Sequence, residues 1–240
     1  MPRSLWRAHG AREQIMPTLL IFGASRGLGR ALAEEHLKRG WHVIATVRKP
    51  GALDDLDASY GSSLDVEVLD TTDWDAVDEL RNRLSGRSLD QVFVNAGIIG
   101  PAPAIGEVEA SAFSQLLLVN SLAPLRIIDR FADLLAAGGM AAVMSSELGS
   151  IAQNDSGGFE SYRISKAALD MGMRSIAARR AESGITFLAV APGWVRTDMG
   201  GPAAPLGIED SIPRLVDMLE QRRGAGGVAY VNYENREIAW

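Results

Sequence analysis

The chain has 240 residues, 47% hydrophobic and 22% charged, the balance of an ordinary globular protein with room for a sizeable core rather than of a fibrous or disordered one. A formal net charge of -6 with no long run of like charges argues against nucleic acid or an anionic membrane as a partner, since both reward a basic face. Cysteine is absent, which excludes disulfides, thiolate catalysis and cysteine-ligated metal and fits a reducing, cytoplasmic setting.

The first fifteen residues carry Arg3, Arg7 and Arg12 but no apolar segment of the kind a secretory signal needs. They read as a mobile extension ahead of Met16, which opens directly into the first strand and is itself a candidate start. Apolar runs of strand length then recur: Leu19 to Phe22, Val43 to Val47, Val66 to Leu69, Val92 to Val94, Met140 to Met144, Phe187 to Val190 and Val228 to Val231. Helical segments are expected between them, near 27–39, 73–84, 108–136, 160–182 and 209–222. Mostly continuous apolar strands imply burial on both faces, and alternation of strand with helix predicts an α/β fold, a doubly wound parallel sheet. No repeat or long linker interrupts it, so residues 16–240 are expected to form one domain. No run reaches the ~18 consecutive apolar residues of a spanning helix. The richest, Leu134 to Met144, carries Gly138 and Gly139, and no membrane segment is expected.

Between the first strand and the first helix lies Gly23-Ala24-Ser25-Arg26-Gly27-Leu28-Gly29. A glycine turn in that place presents backbone N–H groups at a helix N-terminus, where a pyrophosphate is favoured. The same residues fit the G-x-S-x-G elbow of a hydrolase nucleophile, with Ser25 as the serine. That alternative fails on order: Ser25 follows the first strand, and the only later histidines, His36 and His42, lie within seventeen residues of it. Arg26 sits at the positive end of the helix dipole and needs a compensating anion. Selectivity for NAD calls for an acid about twenty residues on, yet Trp41 to Gly51 contains none and Arg48 and Lys49 stand there instead. Cations at that point suit a 2′-phosphate, so NADP(H) is expected over NAD(H).

Further on, Tyr162 and Lys166 stand four residues apart at the start of an alanine-rich helix, and so on one face of it. A cation beside a phenol lowers its pKa and brings it into proton-transfer range. Ser146 emerges at the carboxyl end of the fifth strand, where open α/β sheets bind ligands.

Taken together and in this order, the glycine turn, Asp70, Asn95-Ala96-Gly97, Asn120, Ser146, Tyr162-x-x-x-Lys166 and Pro192-Gly193 resemble the short-chain dehydrogenase/reductase family, from Thr18 to Trp240. The resemblance implies a Rossmann sheet of seven strands, a nicotinamide cofactor and a catalytic tetrad of Asn120, Ser146, Tyr162 and Lys166. Tyr162 would be the general acid/base; Lys166 would lower its pKa and hold the nicotinamide ribose; Ser146 would polarise the carbonyl; Asn120 would position a water linking Lys166 to solvent. Gly23, Ser25, Arg26, Gly27, Leu28 and Gly29 would hold the phosphates and Arg48 the adenosine ribose. Asp70 and its neighbour Thr71 would meet the adenine, Asn95, Ala96 and Gly97 would line the adenosine side, Pro192 and Gly193 would also bind the cofactor, and Val195 and Thr197 would contact the nicotinamide carboxamide or the phosphates.

Two stretches, Ser145 to Ile151 with Tyr162 to Leu169 and Pro192 to Gly201, are similar to the C-factor and Sniffer-like carbonyl reductases. Phe22 and Val94 depart from the wider family's threonine and asparagine and forgo a structural hydrogen bond each. The implied activity is reduction of a small carbonyl substrate, or the reverse; the alternative is an NADP(H)-binding redox sensor with little turnover, against which the complete tetrad speaks. The short segment from Gly200 to Leu206, with Trp194 as an apolar wall, implies a small or open pocket of modest selectivity. Pairing through the long helices near 108–136 and 160–182 would give a homodimer or homotetramer. No metal is expected: His9, His36 and His42 lack ligand spacing, and Asp54, Asp55 and Asp57 read as solvated surface.

Overall fold

The structure, a computed structural model, describes residues 16–101 and 103–240; the expected N-terminal extension lies outside them. Seven strands, β1 (Thr18–Phe22), β2 (His42–Val47), β3 (Leu64–Val68), β4 (Leu89–Val94), β5 (Leu135–Met144), β6 (Thr186–Ala191) and β7 (Gly227–Asn232), form one sheet in the order β3-β2-β1-β4-β5-β6-β7. Every neighbouring pair is parallel. This is the Rossmann topology that the alternation predicts, and its order reverses between β1 and β4, which opens a crevice at the carboxyl ends of the strands.

The apolar strands alternate strictly between two cores. Along β1, Leu20 and Phe22 pack on one face with β4 and β5, while Leu19 and Ile21 pack on the other. The first face is covered by α3 (Trp74–Arg83), α5 (Ala123–Phe131) and α6 (Glu160–Arg179), the second by α1 (Gly27–Lys38), α2 (Asp54–Tyr60) and α7 (Ile208–Arg222).

Asp54, Asp55 and Asp57 are exposed, as expected of solvated surface, and form the first turn of α2, where carboxylates offset the dipole's positive end. One departure from the sequence expectation has a local cause. The expected helix over 108–136 is two helices, α4 (Ala110–Leu117) and α5, joined by a π-type segment over Leu118–Leu122, in which the Ala123 N–H bonds the Leu118 carbonyl. Pro124 contributes to the break, because it has no N–H to give the Asn120 carbonyl four residues back. The stretch Ala110–Leu134 is long and apolar enough to cross a membrane by composition alone, but Ile127, Ile128 and Phe131 are spent on the sheet. It is a core helix.

His36 on α1 is fully buried; one ring nitrogen bonds the Leu32 carbonyl at 2.8 Å, and the ring stands edge-on to Trp41. Burial lowers its pKa from 6.5 to about 4, so the folded state holds it neutral. The stability this confers is full above pH 6.5 and is lost as pH falls towards 4, amounting to about 3 kcal/mol. Urea melts between pH 7 and 4 should show the wild-type stability falling more steeply than that of His36→Gln; parallel slopes would contradict the assignment.

Candidate active site

The crevice is a cleft of about 1370 Å³ across the carboxyl ends of the strands. That is larger than an ordinary small-ligand pocket and has room for a dinucleotide with a substrate beside it. At its floor the turn after β1 runs through Gly23, Ser25, Arg26, Gly27 and Leu28, all of which line it. Gly23 has φ of +87°, and a methyl there would lie 2.8 Å from the Ala96 nitrogen, so only glycine lets this turn approach the end of β4. Its N–H bonds the Thr46 hydroxyl at 3.1 Å, which supplies from β2 a bond to this turn although Phe22 is not a threonine. Phe22 instead stacks edge-on against Phe131 in the core.

Gly29 does not line the cleft. A methyl on it would sit 2.1 Å from the Gly23 carbonyl oxygen and 2.4 Å from the Asn95 amide, which itself donates to that carbonyl at 2.8 Å. Its part is close packing of α1 on the strand ends. Arg26, at the N-cap of α1, reaches across the cleft mouth to the Asp198 carboxylate at 2.6 Å. The anion that the dipole argument demands of Arg26 is thus supplied within the chain, by a pair that is largely exposed and correspondingly weak.

At the far end, the Arg48 N–H faces the Ser25 hydroxyl at 3.4 Å. Asp70 accepts from the Thr72 N–H at 2.8 Å and hydroxyl at 2.6 Å; these bonds, and Arg48 nearby, hold its carboxyl below the ordinary range. Arg48, Asp70, Thr71, Asn95, Ala96 and Gly97 line this end of the cleft. Among the described residues, neither Arg48 nor Lys49 forms an ion pair. Pro192, Gly193, Val195 and Thr197 line the opposite wall, where Trp194 donates its indole N–H to the Gly200 carbonyl at 2.8 Å.

Ser146, Tyr162 and Lys166 meet in the middle of the cleft. Ser146 accepts from the Leu148 N–H at 3.2 Å, leaving its own proton to donate, and its carbonyl receives the Tyr230 hydroxyl from β7. Lys166 is 3% exposed and donates to the Met144 carbonyl at 2.8 Å. Its ammonium lies 5.6 Å from the centroid of the Tyr162 ring. The expected lowering of the Tyr162 pKa is overturned here: burial raises the phenol from 10 to about 12, against a smaller lowering by the Ser146 hydroxyl. Lys166 itself is lowered to about 8, again by burial.

Asn120 lies behind the cleft. Its carboxamide accepts from the Ile98 N–H at 2.8 Å, donates to the Ile98 carbonyl at 2.8 Å, and donates to Ser165 at 3.0 Å. Both ends of the side chain are therefore committed to fixing the β4 exit against the π-type segment and α6.

Residues 17–205 match the family profile described as short chain dehydrogenase. The chain belongs to the short-chain dehydrogenase family. It is an oxidoreductase, and among solved structures it is similar to a short-chain dehydrogenase/reductase from Burkholderia multivorans with bound NADP, at 46% identity and a TM-score of 0.91 over 94% of this chain and 100% of that one. It is similar to the carbonyl reductase Sniffer of D. melanogaster at 30% identity and a TM-score of 0.84, over 94% and 100%. The C-signal of Myxococcus xanthus is 33% identical over 154 residues, 63% of this chain and 93% of that protein. These findings bear out the family and the C-factor and Sniffer likeness read from the motifs.

Three residues of the site carry no signal that single-sequence reading picks out. Tyr230 and Asp170 reach it only through the packing of β7 and α6. Arg163 is buried without an acid partner and donates to the Gly157 and Gly158 carbonyls and the Ser156 hydroxyl, holding the loop ahead of α6. Its place beside Tyr162 marks it only in hindsight.

Because Gly29 is helical and its added methyl meets backbone, Gly29→Ala should destabilise the short-chain dehydrogenase by about 2 kcal/mol or more. Gly40→Ala, with open space around it, should cost only about 1 kcal/mol for its left-handed backbone. Thermal melts of the two variants would contradict this if Gly40→Ala were the more damaging.

Proposed function

We propose that this short-chain dehydrogenase is an NADP(H)-dependent carbonyl reductase in which Tyr162 is the general acid. The observation that carries the reading is the meeting of Tyr162, Ser146 and Lys166 in a cleft that Arg48 also lines. The cleft suits the dinucleotide: the Gly23 turn leaves no room for a side chain, and Arg48, which lines the cleft and forms no ion pair among the described residues, is the cation we assign to a 2′-phosphate. NADP(H), when bound, supplies or accepts the hydride at the carbonyl carbon.

The chain's own residues handle the oxygen. Ser146 has its hydroxyl proton free to hold a carbonyl oxygen next to the phenol. Tyr162, held as a phenol by burial, is poised to give a proton to the alkoxide that forms as hydride arrives. Lys166, which lines the cleft between Gly97 and Tyr162, is the group we assign to the nicotinamide ribose. Asn120, with its side chain committed, would hold a proton-relay water beside Lys166 only through its main-chain carbonyl, which Pro124 has no N–H to occupy. Around the mouth, Ile99, Phe159, Trp194 and Met199 are each more than two-fifths exposed and line the cleft. An apolar rim over an open cleft suits aldehydes and ketones with apolar substituents, selected loosely.

The test is NADPH consumption by the purified protein across small aldehydes, ketones and diketones. Tyr162→Phe should lose turnover by 10²-fold or more while NADPH binding, followed by fluorescence, stays within about twofold. Wild-type protein that binds NADPH and reduces none of these carbonyls would instead make it a redox sensor. Replacing Arg48 by alanine should weaken NADPH binding by about 10-fold and leave NADH binding unchanged. Equal losses for both nucleotides would remove Arg48 from the 2′-phosphate site.

A further inference from the structure

Tyr162, Lys166 and Asp170 follow one another every four residues along α6, and all three face the carboxyl end of β5. Asp170 has no part in the chemistry described so far. It is 3% exposed, and neither carboxylate oxygen has a hydrogen-bond partner of ordinary geometry. Room for it is built into the fold: a methyl on Gly149 would sit 2.5 Å from one of its oxygens.

Lys166 presents the complementary problem. Its ammonium is equally buried and bonds only a neutral carbonyl, and among the described residues no carboxylate lies within 4.0 Å of it. A lone ammonium and a lone carboxylate at such depth are each costly, whereas one helical turn apart they neutralise each other's field. Burial lowers Lys166 and raises Asp170 to about 7, and in each case the other residue acts in the opposite direction, towards the charged form.

The other groups around Asp170 are few. Ser145, after β5, faces both Asp170 and the Tyr230 hydroxyl, lowering each, although its own oxygen completes no bond of full geometry. Glu147 adds negative charge near Tyr230. Arg174, one turn further along α6, turns to the Trp240 ring at 4.8 Å. The negative charge of Asp170 also acts on Tyr162, raising it.

We propose that Asp170 is a positioning residue for the reaction: its carboxylate is the countercharge of Lys166 and, through the column Tyr162, Lys166, Asp170, sets the upper pH at which Tyr162 still holds a proton to donate. The proposal rests on Tyr162 being the acid. With Asp170 neutral, Lys166 loses its ammonium form at lower pH and Tyr162 loses its phenol form at lower pH. The earlier loss of the phenol is what cuts the alkaline end of reduction.

The experiment is the pH profile of kcat for NADPH-dependent carbonyl reduction in wild type, Asp170→Asn, the smaller Asp170→Ser and the charge-restoring Asp170→Glu, with Tyr162→Phe beside them. The alkaline limb should move down by about one pH unit in Asn and Ser and return towards wild type in Glu. An unmoved limb in a folded, NADPH-binding Asn or Ser variant overturns the proposal, whatever happens to the melting temperature. If neither variant folds, ¹³C-carboxyl titration of aspartate-labelled wild type and Lys166→Met decides: one carboxyl should titrate near neutrality and shift in the variant, and uniformly ordinary titrations overturn it. Turnover surviving in Tyr162→Phe would sink the reading of Tyr162 itself; turnover lost there with an unmoved Asp170 limb sinks only the role of Asp170.

Discussion

The hydrogen bond from the Lys166 ammonium to the Met144 carbonyl ties the face of α6 to the end of β5, and the reactive groups take their places from it. One turn before Lys166 on that helix is Tyr162, and two residues beyond Met144 on that strand is Ser146, so fixing helix to strand sets phenol and hydroxyl opposite each other. An ammonium buried this deeply is stable only if the surroundings answer its charge. The neutral carbonyl, the Asn120 and Ser165 network behind it and the Asp170 carboxyl below it are what the fold provides.

The dinucleotide half of the cleft depends on a different constraint, close approach of backbone to backbone. The β1 turn, the β4 exit and the first turn of α1 converge where Gly23, Asn95 and Gly29 leave no space for a Cβ. That crowding holds the α1 N-terminus at the sheet's switch point, with its N–H groups turned to the cleft. Arg26 and Asp198 bridge the mouth above it, and Arg48 at the end of β2 adds a cation suited to phosphate rather than to a bare ribose.

Much of this was legible in the sequence because it is local or periodic. The seven apolar runs located every strand, since burial on both faces leaves a continuous signal; the glycine turn, Ser146 and the Tyr162 to Lys166 spacing located the cleft. The aspartates of α2 are both solvated surface and a helix N-terminus, since the same exposed carboxylates serve both. The π-type break at Asn120 escaped because apolar periodicity continues through it, although Pro124 is a physical reason for it. Tyr230 is not legible as a site residue because it reaches Ser146 from a strand far along the chain, while Asp170 and Arg163, though local to Tyr162 and Lys166, gain their roles only from the burial of their side chains. The direction of the Tyr162 shift was misjudged for a related reason: spacing shows a nearby cation, whereas the depth of burial that outweighs it belongs to the folded chain.

Hydride transfer to a carbonyl carbon is the central claim, and isotope tracing tests it most directly. Purified enzyme, NADPH carrying deuterium at the transferring C4 position and an apolar aldehyde or ketone would be incubated together, and the alcohol analysed by mass spectrometry. One deuterium on the former carbonyl carbon, with the hydroxyl proton drawn from solvent, is the expected result. An alcohol product without that label, or no alcohol at all from protein that binds the nucleotide tightly, would contradict it.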